Sequence, residues 1–222
     1  MKQKIKSFCD NIKDDQHMVV RNVIRQMGRN AGLTRDLEGF KIYNLGFTTE
    51  TSNDAVAIFS NSHSTLKGDT VDNLETGTLT PTNFETLYVS LRQQKTQDGT
   101  LGSHDPAALL VPPILFPDAV EITKSELKSG TAQNEVNWIS TIYPNLRVMN
   151  TPFVSAAYGG SNTAWFMNGR NHGFTRWVRQ AMTTDLVSYE FQRNNNYIYK
   201  AEYREAYAAP TFEGSAASNG TV

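Results

Sequence analysis

Residues 79–117, LTPTNFETLYVSLRQQKTQDGTLGSHDPAALLVPPILFP, constrain the fold more than any other stretch of this chain. Thr80-Pro81 predicts a helix start, because the ring of Pro81 sets φ for the first helical position. Thr82 and Glu85 stand at capping-box spacing, so each side chain can satisfy an orphan amide of the first turn. Phe84, Leu87, Tyr88 and Leu91 follow at i, i+3, i+4 and i+7, one apolar stripe with polar residues between. Asp98-Gly99 marks a turn. Ala107 to Val111 is a short continuous apolar run, and Pro112-Pro113 cannot extend a ladder, so the run predicts a buried strand. A second helix is expected from Pro117 to Lys128, ended by Ser129-Gly130.

Ahead of this stretch, residues 16–44 predict a long helix, with Asp14-Asp15 at its positive end. Val19, Val20, Val23, Ile24, Met27 and Ala31 give one apolar stripe, continued by Leu37, Phe40 and Ile42. Gly28 and Gly32 each weaken a helix interior by roughly 1 kcal/mol relative to Ala, so a bend near Gly32-Leu33-Thr34 is an open alternative to a continuous rod. Arg21, Arg25 and Arg29 recur every fourth residue as a second stripe. It reads either as a solvated face or as a surface that meets acidic groups or phosphate of a neighbour.

Residues 1–13 are polar and lysine-rich and read as a strand or a loosely held leader. Gly46 ends the long helix. Residues 47–78 are a loop-and-hairpin region with one strand-like run, Ala55 to Phe59. Further strands are expected at Asn145–Met149, Thr163–Met167, Val187–Phe191 and Tyr197–Arg204, the last two joined by an Asn194-Asn195-Asn196 turn. The tail 214–220 is small and polar and is expected to be mobile.

The 21 basic and 22 acidic residues leave a net charge of −1, which argues against a general nucleic-acid binder. No apolar run is long enough to span a membrane, and the N-terminus has no apolar core of a secretory signal. One cysteine, Cys9, forms no internal disulfide and fits folding in a reducing cytoplasm. Neither metal-ligand spacing, nor a nucleophile elbow, nor a phosphate-cradling glycine loop is present. His63, among the hydroxyls of Ser60, Ser62 and Ser64, reads first as a loop side chain bonded to nearby backbone and only second as a catalytic group. His104-Asp105 belongs to a turn. Trp138, Trp165 and Trp177 read as core or interface anchors. The residues by themselves thus indicate an α+β protein with no catalytic, cofactor-binding or metal site.

The motifs carry a resemblance as well. Ser62-His63 to Gly68, then Leu74, Gly77 and Leu79, then Phe84, Leu91-Arg92, Gln94-Lys95, Asp98-Gly99 and Leu109-Leu110-Val111-Pro112-Pro113, taken in this order, resemble the major capsid proteins of tailed bacteriophages. The similarity is greatest to the group of the Mu-like major head subunit, some of which are fused to a protease. Asp14-Asp15, Arg21, Arg25, Met27-Gly28-Arg29 and Ala31 resemble the family's long-helix motif. Trp165-Phe166-Met167 and the Tyr203-Arg204 to Gly220 pattern are similar to its last strands. Ser64-Thr65 stands where the family often has Gly-Asn. The chain also begins just before the long helix, so the N-terminal arm and extended loop of such shells are expected to be truncated, cleaved or on another polypeptide.

The resemblance implies a Hong Kong 97-type fold with the helix 16–44 as spine. It implies a peripheral (P) domain of 14–99 and 181–222, with a sheet that includes a hairpin near 55–59, and an axial (A) domain of 100–180. It implies a non-enzymatic subunit that closes an icosahedral shell around phage DNA. Its partners would be further copies in pentamers and hexamers, with portal, scaffolding, protease or decoration proteins. Packaged DNA would be touched only weakly and non-specifically. The location would be the virion, after assembly in the host bacterial cytoplasm. Arg21, Arg25 and Arg29 are the candidate inter-subunit contacts. An encapsulin-like compartment shell is the alternative reading, and a hydrolase using His63 or Cys9 a more distant one.

Overall fold

The computed structural model describes residues 19–127, 135–186 and 199–221. Helix α1 (Val19–Leu45) runs without a break through Gly28 and Gly32. No atom lies within 4 Å of a Cβ added at either glycine, so neighbours do not impose them. Of the two readings left open, the continuous helix is the one observed. The chain then turns through Thr48 and Thr49, whose amides both bond the Leu45 carbonyl. Asp14-Asp15 and Cys9 lie outside the described residues, as do the side chains of Val19, Val20, Arg21, Val23 and Ile24.

Three short strands follow: β1 (His63–Ser64), β2 (Thr70–Val71) and β3 (Leu74–Glu75). The expected strand at Ala55–Phe59 does not form. Ala55 sits at φ 61° and only an isolated bridge joins Thr51 to Ala57. Ile58 and Phe59 are buried all the same, delivered to the core by a loop. Their apolar character reported burial, and the left-handed Ala55 prevented the extended run.

Helix α2 (Pro81–Gln93) starts as expected at Thr80-Pro81, with a different cap. Thr80 is the N-cap and its hydroxyl accepts from the Asn83 amide at 3.2 Å. Thr82 is already inside the helix, and Glu85 accepts from the indole of Trp138 instead of capping. Phe84, Leu87 and Leu91 are buried, and Tyr88 packs beside them. Gly99 at φ 73° completes the predicted turn. Strand β4 (Pro106–Val111) then ends at Pro112, where a 3₁₀ turn leads into α3 (Phe116–Lys124). After it come α4 (Trp138–Ile142), β5 (Arg147–Asn150), β6 (Trp165–Gly169), β7 (Thr175–Leu186), β8 (Tyr199–Ala208) and β9 (Ser215–Ser218).

Five strands form one mixed sheet in the order β3-β9-β6-β4-β5. β4 runs parallel to β5 and β3 parallel to β9, while β6 is antiparallel to both β4 and β9. Side chains alternate between two apolar layers, as a pleated strand requires. Leu109, Val111, Trp165, Met167 and Ala216 face α2, α3 and α4. Leu110, Phe166 and Ala217 face Ile42, Ile58, Phe59 and Val154. Each fully buried Leu or Phe contributes about 1.5–3 kcal/mol by leaving water. Tyr43 joins the second layer, stacked on Phe174 at 4.5 Å and accepting from Asn168 at 2.6 Å. Burial pushes its hydroxyl up to about 12, and the Asn168 bond only partly offsets this.

The tail expected to be mobile is instead β9, an inner strand. Ser215, Ala216, Ala217 and Ser218 are all buried. Small side chains let this strand lie between two filled apolar layers. Its start is pinned by polar groups: Asn73 donates to the Ser215 carbonyl, and Gln94 accepts from the Gly214 amide at 2.8 Å. Gly214 has φ 70°, and a Cβ there would meet the Asn171 carbonyl at 2.7 Å.

The chain divides into two compact units: residues Met1–Glu38 with Arg176–Ala206, and Gly39–Thr175 with Tyr207–Val222. The five-stranded sheet lies in the second. This division differs from the expected 14–99 and 181–222 against 100–180, because β3 and β9 share a sheet with β4, β5 and β6. In the first unit β7 and β8 form a two-stranded sheet. The expected strand at 187–191 and the turn at 194–196 lie outside the described residues.

Candidate inter-subunit surface

The first unit carries the arginine stripe. Arg25 and Arg29 are exposed on α1, and the side chain of Arg21 lies outside the described residues. A fourth arginine, Arg35, is engaged differently. It stands 3.9 Å from the carboxylate of Glu205 on β8, whose other oxygen lies 3.9 Å from Arg176 on β7. Glu205 is 2% exposed, so a buried carboxylate sits between two cations from two different elements. That arrangement satisfies the rule that buried charges are paired. Sequence reading missed it, because i+4 spacing marks a face and says nothing about partners from distant strands.

The β7–β8 sheet is open to solvent. Trp177 and Val178 are 48% and 45% exposed. Arg176 and Arg179 on β7, and Lys200, Glu202 and Arg204 on β8, are exposed too. Two exposed apolar side chains among mixed charges have the make-up of a contact surface, with Trp and Arg as typical anchors. Of the three tryptophans, Trp165 is buried and donates to the Gly77 carbonyl, Trp138 is half-buried against Tyr88, and Trp177 is left exposed. On the second unit Leu66, Leu101, Ile114, Val136 and Ile142 stand exposed singly along its loops and helix ends.

The candidate catalytic groups look inward. His63 is 0% exposed. Its Nδ1 lies 2.7 Å from Asp54 Oδ2, its Nε2 lies 3.1 Å from the Ile58 carbonyl, and its ring stacks on Phe212 at 4.3 Å. Both nitrogens are committed and no substrate can reach them. His104 is buried in the turn before β4. Burial holds it below the ordinary imidazole value, with Glu213 pulling upward and Arg92 downward. Among the described residues no group of His, Cys, Asp and Glu could hold a metal ion, and no helix is long and apolar enough to cross a membrane. A depression of about 560 Å³ near α3 is wide open and lined by Lys124, Leu127, Val136 and Pro144. Its form suits a contact surface better than an enclosed ligand site.

Comparison with solved structures gives the class first. The chain is similar to a protein of the bacteriophage JBD30 capsid decorated with minor capsid protein trimers. The TM-score is 0.51 at 16% identity, covering 66% of this chain and 70% of that one. It also aligns with a structure of Mycobacterium phage Ogopogo (TM-score 0.45, 14% identity, 91% and 71% covered) and the capsid of Myoviridae phage XM1 (0.47, 14%, 91% and 67%). No curated protein sequence matches significantly. The α+β architecture is that of a Hong Kong 97-type capsid subunit. The chain belongs to the phage capsid protein family, whose profile matches residues 10–217. It is a major capsid protein, a structural component of the shell of the phage head.

Proposed function

We propose that this chain tiles the head shell as pentamers and hexamers of identical copies, and that the first unit supplies contacts between neighbours. The family match over residues 10–217 carries the reading. In this assignment α1 is the spine, and the first unit, with the part of α1 up to Glu38 and the β7–β8 sheet, is the peripheral part of the tile. The second unit, with the five-stranded sheet, is the axial part. Arg21, Arg25 and Arg29 meet acidic groups of an adjacent copy, and Trp177 is an apolar anchor of the same surface. The subunit has no catalytic role. Assembly takes place in the host cytoplasm, with portal, scaffolding or protease and decoration proteins as further partners. Packaged DNA meets a shell of near-neutral subunits only through weak, salt-sensitive contacts.

Expression followed by sedimentation and negative-stain microscopy tests the proposal. Rings, sheets or closed shells are expected, and Arg25→Glu or Trp177→Ser should shift the distribution toward monomers while the unfolding midpoint stays put. A wild-type chain that remains monomeric at every salt and protein concentration, even with the rest of the shell proteins supplied, sinks it.

A further inference from the structure

Charge is divided unevenly between the two units. Residues 1–38 with 176–206 hold 13 basic and 9 acidic residues, a net charge of +4, whereas the remainder holds 8 and 13, a net charge of −5. The near-neutral total thus conceals two charges of opposite sign that every copy carries together. On the first unit the positive charge gathers beside an exposed indole. Arg176 approaches Glu205, and Arg35 reaches the same carboxylate from α1, so these side chains mark the face of the β7–β8 sheet turned to α1. Side chains alternate along a strand. Trp177 and Arg179 of β7, with Lys200, Glu202 and Arg204 of β8, therefore stand on the opposite face, and all five are exposed. Lys200 and Glu202 pair with each other. The remaining charges on this face among the described residues are Arg179 and Arg204, both positive.

The depression near α3 on the second unit has the complementary make-up. Leu127 and Val136, joined by an antiparallel bridge, are 46% and 68% exposed. Glu126 lines the depression with them, and Glu135, next to Val136 in the chain, is exposed. Lys124, a cation in the lining, donates to the Pro144 and Leu146 carbonyls at 2.8 Å each. We infer that these two surfaces dock between copies of this chain. Trp177 of one copy seats in the depression of the next, against Leu127, Val136 and Pro144, while Arg179 and Arg204 face Glu126 and Glu135. The inference rests on the reading of the chain as a tile of a shell, and it names the surface that the first unit meets. Charge complementarity selects the occupant, because the acidic apolar surface is present one for one wherever the basic one is. Two different patches in contact make a heterologous interface, whose repetition closes a ring. Packaged duplex DNA would present no unstacked base to the indole, and it would repel Glu202 on the same face.

Charge reversal tests the contact on the full chain, with assembly followed by sedimentation and folding by the urea midpoint. One variant carries Arg179→Glu and Arg204→Glu, the other Glu126→Arg and Glu135→Arg. Each alone should raise the concentration needed for half-assembly by about tenfold, because like charges then face each other, with unchanged midpoints. Mixing the two variants should restore assembly, since unlike copies present opposite charges, and so should all four substitutions in one chain. Glutamine at the same four positions guards against misfolding: assembly should then lose most of its salt dependence, and an unaltered salt dependence overturns the contact. A wild type that never assembles sinks the shell reading, and the contact with it. A wild type that assembles no better than either reversed variant, or a mixture no better than its components, overturns the contact alone. Rescue by the four substitutions in one chain but not by mixing would place the pairing within a single copy and overturn it too. Reversed variants that assemble normally and lose co-sedimenting DNA would assign the arginine face to DNA instead.

Discussion

Strands β9 and β7 show how little a strand's own composition says about where it lies. β9 reads Ser-Ala-Ala-Ser, with no large side chain, and is buried at every position. β7 contains Trp177, Val178 and Met182, yet its residues from Thr175 to Ala181 are exposed apart from a half-buried Gln180. β9 has a partner on each edge and an apolar layer on each face, so small residues are what fit. Among the described residues β7 pairs with one strand, β8. A two-stranded sheet is marginal alone, and an exposed Trp on it is a side chain available to a further surface. One sheet is filled on both faces, and the other leaves Trp177 and Val178 exposed.

The sharpest way to break this contrast is to attack the complete sheet. Leu110→Asp places a charge between Phe166 and Val154 in the second apolar layer, and a loss of several kcal/mol and of soluble folding is expected in denaturant titrations. A soluble variant with an unchanged midpoint would show that β4 is not a core strand. Overpacking the inner strand is the next test. Ala217→Leu should cost about 1–3 kcal/mol, because no space remains on that face. The same exchange at Ala181 on β7, which is exposed, should stay within about 0.5 kcal/mol.

A smaller, pH-dependent effect comes from Tyr43. Its folded value of about 12 lies above the ordinary 10 of the unfolded chain. Burial thus favours the neutral phenol, the stability it supports is complete below pH 10, and it is lost as pH rises from 10 toward 12. Tyr43→Phe should flatten this part of the alkaline unfolding curve, while giving up the Asn168 bond, worth about 1 kcal/mol. Equal alkaline slopes in the two proteins would contradict it. The smallest stability effects are expected at Arg25→Glu and Trp177→Ser, within about 0.5 kcal/mol for the isolated chain. Their consequence should appear in assembly alone, and an equal loss in folding and assembly would assign both side chains to the inside of the subunit.

Much of the architecture is legible in local signals. The spine helix, the start of α2 at Thr80-Pro81, the Asp98-Gly99 turn and the β4 strand each follow from spacing or from one residue's backbone preference. These signals belong to contiguous residues, so they survive without knowledge of the fold. The candidate surface is legible only in part. The i+4 spacing of Arg21, Arg25 and Arg29 shows a common face, but the engagement of Arg35 with Glu205 and Arg176 depends on strands more than a hundred residues away. His63 was visible as a residue among hydroxyls, while Asp54 and Phe212, which fix its role, come from a neighbouring loop and the C-terminal segment.

By itself, then, the sequence determined the long spine helix, the start of α2, the Asp98-Gly99 turn and the ordered motifs of a shell protein, while the short α4 went unread and α3 ends at Lys124, four residues before its expected end. Only the tertiary structure decided that Ser215–Ser218 is an inner strand, that Ala55–Phe59 is a loop that buries Ile58 and Phe59, and that Trp177 is exposed while Trp165 is not. The reason is physical. Helical period, caps and turn residues act through bonds between near neighbours in the chain, whereas burial is the sum of contacts from everywhere else. A small polar strand becomes core when two full apolar layers close over it, and a tryptophan such as Trp177 stays exposed where its strand lies outside those layers.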